Sequence, residues 1–143
     1  MSLLEALDAL KSGKAPANLT LYLQYNDIGP VGAKSLADAL QSGNAPAILT
    51  LELYGNNIGP VGAKALADAL QSGKAPANLT LYLRYNKIGA VGAKALADAL
   101  QSGRCSEYLR LFLNSGSLPE NVRGRSLKFF AREFLLRCEN LAL

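Results

Sequence analysis

The chain repeats one pattern three times, and this repetition constrains its fold more than any other feature of the sequence. Gly13, Gly43, Gly73 and Gly103 recur every 30 residues, each directly after a serine. Between them stand KAPANLTLYLQYNDIGPVGAKSLADALQSG, NAPAILTLELYGNNIGPVGAKALADALQSG and KAPANLTLYLRYNKIGAVGAKALADALQSG, called units one, two and three below. A fixed period of this length predicts a solenoid, in which each unit buries its apolar face against its neighbours.

Each unit has two halves with different hydrophobic periods. In unit one, Leu19, Leu21 and Leu23 alternate with polar or aromatic residues, which predicts a strand with one buried face. Gly43 then supplies the positive φ of a helix C-cap, and Pro46 prevents the helix from continuing. Between the strand and that cap, apolar residues at helical spacing predict one buried helix face: Val31, Ala33, Leu36, Ala37 and Leu40.

Stacking such units places the strands side by side in a parallel sheet and the helices in a second layer. Because the strand is the shorter element, we expect the sheet on the inside of a curve and the helices on the outside. The predicted fold class is therefore a two-layer α/β solenoid.

A short motif recurs in register in the three units, and in unit one it reads Leu21-x-Leu23-x-x-Asn26-x-Ile28, followed by Gly-x-x-Gly-Ala and an alanine-rich helix. This motif resembles the leucine-rich repeat over about residues 14–118. Its subtype resembles the ribonuclease-inhibitor-like class, which is also seen in innate-immune receptors of animals and in bacterial effectors delivered to host cells. The resemblance implies a right-handed horseshoe segment whose concave sheet face binds a protein.

The resemblance also implies a structural role for one asparagine in each unit. In such repeats the side chains of Asn26, Asn56 and Asn86 point inward and satisfy backbone groups of the turns. A buried amide is tolerated only when it is paired in this way. We therefore expect a ladder of buried asparagines.

The chain is predicted to form a single domain over residues 1–143. Residues 1–13 form a helical half-unit that opens on a capping box at Ser2 and Glu5. Units 14–43, 44–73 and 74–103 follow, then a last strand within 104–118 and a helical C-terminal cap over 119–143. The cap carries a second apolar stripe at Phe129 and Leu136, which is either buried or available for self-association. The uncapped N-terminal edge of the sheet is a second candidate for self-association.

Differences between the units identify the candidate binding positions. Much of the change between units falls on or just after the outward strand residues, and five of the six tyrosines lie there. Tyrosine gives a large, rigid contact area with a polar tip, which suits a binding surface, although aromatic residues also favour strands on a solvated face. The candidate partner-binding residues are Tyr22, Gln24, Tyr25, Glu52, Tyr54, Tyr82, Arg84, Tyr85, Arg110 and Phe112.

The sequence gives little support to catalysis. It contains no histidine, which excludes an imidazole base and a histidine-containing triad, and it has no cysteine cluster with metal spacing. Lysines stand four residues before Asp38, Asp68 and Asp98, as in surface ion pairs of helices. Cys105 follows Arg104, a neighbour that lowers a thiol pKa, but no base stands near it in sequence. We predict no enzymatic activity, no metal and no cofactor.

Charge and hydropathy separate the remaining classes of function. The net charge is +4, and Glu52 interrupts the tyrosine positions, so binding of nucleic acid is a weaker alternative. No apolar run or basic leader predicts a membrane span or a signal peptide, so a cytoplasmic protein is expected, with delivery into a host cell as an effector left open.

The leading hypothesis is a module for an unidentified protein partner. The alternative is a minimal or engineered repeat scaffold without a natural ligand.

Overall fold

Strands and helices alternate along the chain as the two hydrophobic periods predict. The computed structural model describes residues 1–106 and 108–113, and the backbone of residues 121–123. Within these ranges the elements are α1 (Leu3–Lys11), β1 (Asn18–Tyr22), α2 (Gly29–Leu40), β2 (Ile48–Glu52), α3 (Gly59–Leu70), β3 (Asn78–Tyr82), α4 (Gly89–Gln101), β4 (Arg110–Phe112) and β5 (Asn121–Arg123).

The sheet has the order β1-β2-β3-β4-β5, and its first four strands are parallel. The register equals the repeat period, so that Leu21 pairs with Leu51 and Leu51 pairs with Leu81. All three leucines are fully buried against the helix layer. The predicted α/β solenoid, with a parallel sheet and a separate layer of helices, is confirmed.

Small residues bring neighbouring helices close together. A Cβ added to Gly62 in α3 would lie 3.0 Å from the Cβ of Ala33 in α2 and 2.5 Å from Cγ2 of Ile58. The same arrangement recurs one unit later at Gly92, whose Cβ would lie 3.0 Å from that of Ala63. The contact between adjacent helices is therefore set by hydrogen and methyl groups.

One part of the predicted helix face is wrong. Val31 was assigned to the buried stripe, but it is 81% exposed, and Val61 and Val91 are exposed in the same way. The physical reason is the helical step of about 100° per residue, which turns a side chain two positions before Ala33 to the far side of the helix. The other residues assigned to the stripe, from Ala33 to Leu40, are buried.

The two ends of the sheet differ. At one end β1 is paired only with β2 among the described strands. At the other end β4 is paired with the short antiparallel strand β5, with Leu111 opposite Val122. The sequence predicted helix for the whole of 119–143, so a strand at Asn121–Arg123 is a correction; pairing there satisfies backbone groups that β4 would otherwise leave at an edge. The remainder of the predicted cap, including Phe129 and Leu136, lies outside the described residues.

The first helix begins as the capping motif predicts. Ser2 adopts an extended backbone, and its hydroxyl accepts a hydrogen bond from the backbone N–H of Glu5 at 3.2 Å. The buried side of α1, with Ala6 and Leu10, joins the same core as the complete units. Among the described residues no helix is both long and apolar enough to cross a membrane.

Candidate functional site

The predicted binding residues lie on or just beyond the strand face that points away from the helices. For the even-numbered residues the inward leucines fix this orientation, because successive strand residues point to opposite faces. Tyr25 and Tyr85 lie beyond the strands in turns with positive φ, and their rings contact Gly55 and Tyr54 of unit two. The structure therefore brings the predicted residues together on one surface, called the strand-side surface below: Tyr22, Gln24, Tyr25, Glu52, Tyr54, Tyr82, Arg84, Tyr85, Arg110 and Phe112.

An aromatic stack occupies the second half of the strand-side surface. The rings of Tyr82 and Phe112 lie 4.4 Å apart between centroids, with planes 12° from parallel. Tyr54 stacks on Tyr82 at 6.5 Å and on Tyr85 at 6.3 Å. Ring pairs at these separations attract one another beyond simple burial. The stack therefore joins four side chains from unit two, unit three and β4.

Tyr25 lies over the one glycine of this surface. A Cβ added to Gly55 would lie 2.4 Å from Cε1 of Tyr25, so the absence of a side chain at Gly55 leaves room for the ring. Tyr25, Gly55 and Tyr85 occupy the same place in their units and all have positive φ, at 53°, 60° and 58°. A left-handed backbone is uncommon for tyrosine and easy for glycine. The two tyrosines are thus kept at a conformational cost.

The first unit displays its tyrosines most openly. Tyr22 is 63% exposed and Tyr25 is 76% exposed, whereas Tyr54 and Tyr82 are half-buried in the stack. A rigid aromatic group with a free face is the usual anchor of a protein interface. Tyr85, at the margin of the stack, is also 63% exposed, so the strand-side surface has exposed rings in unit one and beside the stack.

Sequence reasoning missed one exposed aromatic residue next to this surface. Tyr108 is 63% exposed and stands just before β4, in the repeat position of Asn18, Ile48 and Asn78. That position is two residues before the outward threonine of each unit, so the period of two could have identified it. Ile48 is likewise exposed, at 42%.

Charged groups lie among the aromatic rings. Glu52 pairs in register with Tyr22 on one side and Tyr82 on the other. Burial raises the pKa of its carboxyl above the ordinary value for glutamate. Arg84 and Arg110 are half-buried farther along the array. The surface therefore has one acidic position near its centre and basic positions toward its last strand.

Two of the three ladder asparagines are buried, and their side-chain amides have hydrogen-bond partners for both the oxygen and the nitrogen. Asn56 is buried, and its Nδ2 donates to the carbonyl of Leu23 at 2.8 Å. Its Oδ1 accepts from the backbone N–H of Asn26 at 2.8 Å and from that of Ile28 at 3.4 Å. Asn86 repeats this set one unit later. Each side chain thus binds the turn of the unit before it.

Asn26 departs from the predicted ladder, because it is exposed. Its Nδ2 donates only to the carbonyl of Gln24 in its own turn, at 3.1 Å, among the bonds within the described residues. The reason is position in the array: Asn56 and Asn86 serve a preceding unit, and β1 is the first strand of the sheet. Asn26 and Asn86 therefore occupy the same position in nearly identical units but differ in burial.

The described residues offer little for catalysis. They contain no group of three histidine, cysteine, aspartate or glutamate side chains that could hold a metal ion. Cys105 was considered for a lowered thiol pKa beside Arg104, but burial raises its pKa to about 11, and its Sγ lies 3.2 Å from the carbonyl of Ala99. A neutral thiol of this kind is a poor nucleophile at neutral pH.

The lysine–aspartate pairs have the predicted helix geometry. Lys34 and Asp38 lie 3.9 Å apart, and the pair Lys94 and Asp98 lies at 2.9 Å. These side chains are largely solvent-exposed, so each pair adds only about 0.3 kcal/mol to the free energy of unfolding. The ion pairs lie on the solvent-exposed side of the helices and are explained by helix stability alone.

Comparison with protein families identifies the repeated unit. A family model described as Leucine Rich repeat matches residues 16–37, 47–67 and 76–97, one match in each unit. These three segments are leucine-rich repeats. Each match begins before a strand and ends within the following helix, so the family unit and the strand–helix unit of the structure coincide. No curated protein matches the chain.

Proposed function

We propose that the chain is a protein-binding leucine-rich repeat module whose partner docks on the strand-side surface. The observation that carries this proposal is the aromatic arrangement, in which exposed Tyr22 and Tyr25 adjoin the stack of Tyr54, Tyr82 and Phe112. Leucine-rich repeats are in general modules for protein–protein interaction. The strand–helix unit is also the basis on which we propose the ribonuclease-inhibitor-like subtype.

Preorganisation supports binding at this surface. The stacked rings contact one another and the strand backbone is paired in the chain alone, so we expect little loss of conformational entropy when a partner docks. Tyrosine side chains have few rotatable bonds, which lowers that cost further. Energetic anchors of interfaces are typically aromatic residues and arginines surrounded by weaker contacts. The strand-side surface has both types, with Arg84 between Tyr82 and Tyr85 in unit three and Arg110 in β4.

The arrangement of charge supports a protein partner over nucleic acid. A groove for a phosphate backbone requires basic groups along its whole length, with aromatic rings on which the bases stack. Here Glu52 stands between two tyrosines at the centre of the array. A partner with a basic group opposite Glu52, apolar or aromatic groups around it and an acidic region toward the last strand would match this surface better.

The proposal is tested by site-specific photo-crosslinking in a lysate of the source cells. A photoreactive phenylalanine analogue replaces Tyr22 on the strand-side surface, and a matched control carries it at Val61 on the outside of α3. A defined protein should be captured from position 22 and not from position 61. The triple variant Tyr22→Ala, Tyr82→Ala, Arg84→Ala should reduce binding of that purified protein by at least about 100-fold.

Three outcomes would contradict the proposal. Capture of the same proteins at both positions would indicate nonspecific labelling, and capture of none would favour a scaffold without a natural ligand. Binding of a single-stranded oligonucleotide that weakens steeply with added salt would instead indicate contacts with phosphates. Circular dichroism of the triple variant would show whether the loss of binding accompanies a loss of fold.

A further inference from the structure

One carboxylate stands among the tyrosines of the strand-side surface. Units one and three carry tyrosine at the second outward strand position, as Tyr22 and Tyr82, and unit two carries Glu52 there. We propose that Glu52 and the rings around it bind an arginine side chain of the protein partner, with the guanidinium paired to the carboxylate and lying against a ring face. Because this site specifies a chemical group of the partner, it rests on the proposed function.

Glu52 has aromatic residues on three sides. Tyr22 and Tyr82 are its register partners in the two neighbouring strands. Tyr54 follows two residues later in unit two, and its ring stacks on Tyr82, which places it on the same surface. Thr50 occupies the fourth side, two residues earlier in β2. Residues in register on neighbouring strands lie about 4.8 Å apart, so both register partners are within reach of a group bound at the Glu52 carboxylate.

Tyr82 turns one face of its ring toward β2. The other face is stacked on Phe112, with centroids 4.4 Å apart and planes 12° from parallel. Since β4 and β2 lie on opposite sides of β3, the face away from Phe112 is directed toward the strand of Glu52. Tyr54 lies on that side at 6.5 Å, with its plane 14° from that of Tyr82. A ring face carries negative partial charge, so it attracts a cation, as the carboxylate does.

The Glu52 carboxylate is half-buried without a counter-ion in the part of the chain that the structure describes. The ion pairs there join lysines and aspartates of the helices, and no hydrogen bond or ion pair reaches Glu52. Burial raises the pKa of its carboxyl, whereas a cation in contact would lower it. The side chain is thus partly removed from water with no donor in exchange, and a donor from a docking protein would compensate that cost.

Arginine fits this arrangement better than other cations do. Its planar guanidinium can donate two parallel N–H bonds to a carboxylate while its face lies on an aromatic ring. A lysine ammonium is compact and more strongly hydrated, and a quaternary ammonium has no N–H to donate. A hard metal ion takes about six or more oxygen ligands, and Glu52 is the one carboxylate among the residues that define the strand-side surface.

The experiment uses the full chain and the peptide acetyl-Gly-Arg-Gly-amide, followed by NMR. Binding should be saturable, with a Kd in the low millimolar range, and should shift the signals of Glu52, Tyr54 and Tyr82. The side-chain protons of the peptide arginine should move upfield, because they lie over ring faces. A peptide with citrulline in place of arginine is neutral and nearly isosteric, and it should bind at least about tenfold more weakly. Because the chain has a net charge of +4, general electrostatic attraction does not favour the cationic peptide.

Two variants of Glu52 separate its charge from its shape. Glu52→Gln keeps the size of the side chain and should weaken peptide binding about tenfold. Glu52→Tyr installs the residue that units one and three have at this position, so it should fold like the parent chain and still lose the saturable response. Asp8→Asn is the matched control, because it removes the same charge from an exposed position of α1, and it should bind like the parent.

Two variants of Tyr82 test the contribution of the ring. Tyr82→Leu should weaken peptide binding about threefold, because it removes the aromatic face. Tyr82→Phe retains a ring and should weaken binding less. Thermal unfolding of each variant, compared with the parent chain, separates loss of binding from loss of fold.

Several results would overturn the arginine site. They are absence of saturable binding, equal binding of the citrulline peptide, equal losses in Asp8→Asn and Glu52→Gln, and shifts confined to residues away from Glu52. Tighter binding of the corresponding lysine or trimethyllysine peptide would assign the site to a different cation.

Failure of the arginine site and failure of the proposed function give different results. If the protein captured from position 22 binds the Glu52→Tyr variant as tightly as the parent chain, the arginine site fails and the proposed function stands. If no protein is captured while the arginine peptide still binds at Glu52, the proposed function fails and the site at Glu52 stands.

Discussion

Units one and three have almost the same sequence but different surroundings. They differ at four positions only, 24 and 84, 27 and 87, 30 and 90, and 35 and 95. Yet Asn26 is exposed while Asn86 is 1% exposed, and Thr20 is half-buried while Thr80 is 5% exposed. The difference shows that burial in a repeat array is set by the neighbouring unit as much as by the residue itself. The two units therefore provide matched sites at which one substitution can be compared in two environments.

The largest difference is expected at the ladder asparagine. Asn86→Ala leaves the N–H groups of Asn56 and Ile58 and the carbonyl of Leu53 without their side-chain partner in the interior. We expect a loss of about 4 kcal/mol in the free energy of unfolding, against at most about 0.5 kcal/mol for Asn26→Ala. Urea denaturation followed by far-UV circular dichroism measures both, and equal losses would remove the distinction between the two units.

The next difference is expected at the first leucine of the strand. Leu79 is 1% exposed, and Leu79→Ala creates a cavity in the core that should cost about 3 kcal/mol. Leu19 is half-buried, so Leu19→Ala should cost about 1 kcal/mol. The same urea titration applies. If Leu19→Ala proved the more damaging variant, the open edge of β1 would have to be covered in solution.

A smaller difference is expected for the tyrosines of the strand-side surface. Tyr82 stacks on Phe112 at 4.4 Å, whereas Tyr22 is 63% exposed. Tyr82→Ala should lower the free energy of unfolding by about 2 kcal/mol, and Tyr22→Ala by about 0.5 kcal/mol. Phe112→Ala in the Tyr82→Ala background gives the coupling of the two rings by a double-mutant cycle; a coupling of zero would argue against the stack.

The smallest difference, and one of opposite sign, is expected in the turn. Lys87 and Asp27 have φ of 52° and 50°, and unit two has Asn57 there with φ of 56°. Asparagine and aspartate tolerate this left-handed backbone better than lysine. Lys87→Asn should therefore stabilise the chain by about 0.5 kcal/mol, and Asp27→Asn should leave stability almost unchanged. A destabilised Lys87→Asn variant would mean that the lysine side chain contributes a contact that outweighs the strain.

Local patterns predicted the elements of the fold well. The alternation of Leu19, Leu21 and Leu23 and the helical spacing of Ala33, Leu36 and Leu40 depend on the geometry of a single strand or helix, which every unit shares. The repeat of 30 residues sets the register between strands, and identical units stacked in the same direction give parallel strands, so the parallel sheet was also predicted. Most candidate binding residues were found on one surface because outward strand positions follow from the same alternation. Tyr25 and Tyr85 are exceptions: they have the parity of the inward leucines and lie in turns with positive φ.

Features that depend on a neighbour could not be predicted in this way. The exposure of Asn26 depends on the open edge of β1, and the ring stack depends on side-chain positions across three strands. Val31 is apolar, but its angle on the helix turns it away from the core, so hydrophobicity alone places it on the wrong face. The strand at Asn121–Arg123 is three residues long, too short for a hydrophobic period to distinguish it from helix.

The close contact between Gly62 and Ala33 sets a distance for the whole array. Paired strands are spaced about 4.8 Å apart, whereas packed helices are spaced about 8–10 Å apart. One strand is joined to one helix in every unit, so the helix layer must follow a longer arc than the sheet. Glycine and alanine at the helix contacts bring neighbouring helices closer together. The spacing of the helices is then nearer to that of the strands, so the sheet bends less and its radius of curvature is larger. A bulkier residue at each such position would tighten the bend and narrow the range of partner shapes that touch the first and last strands together.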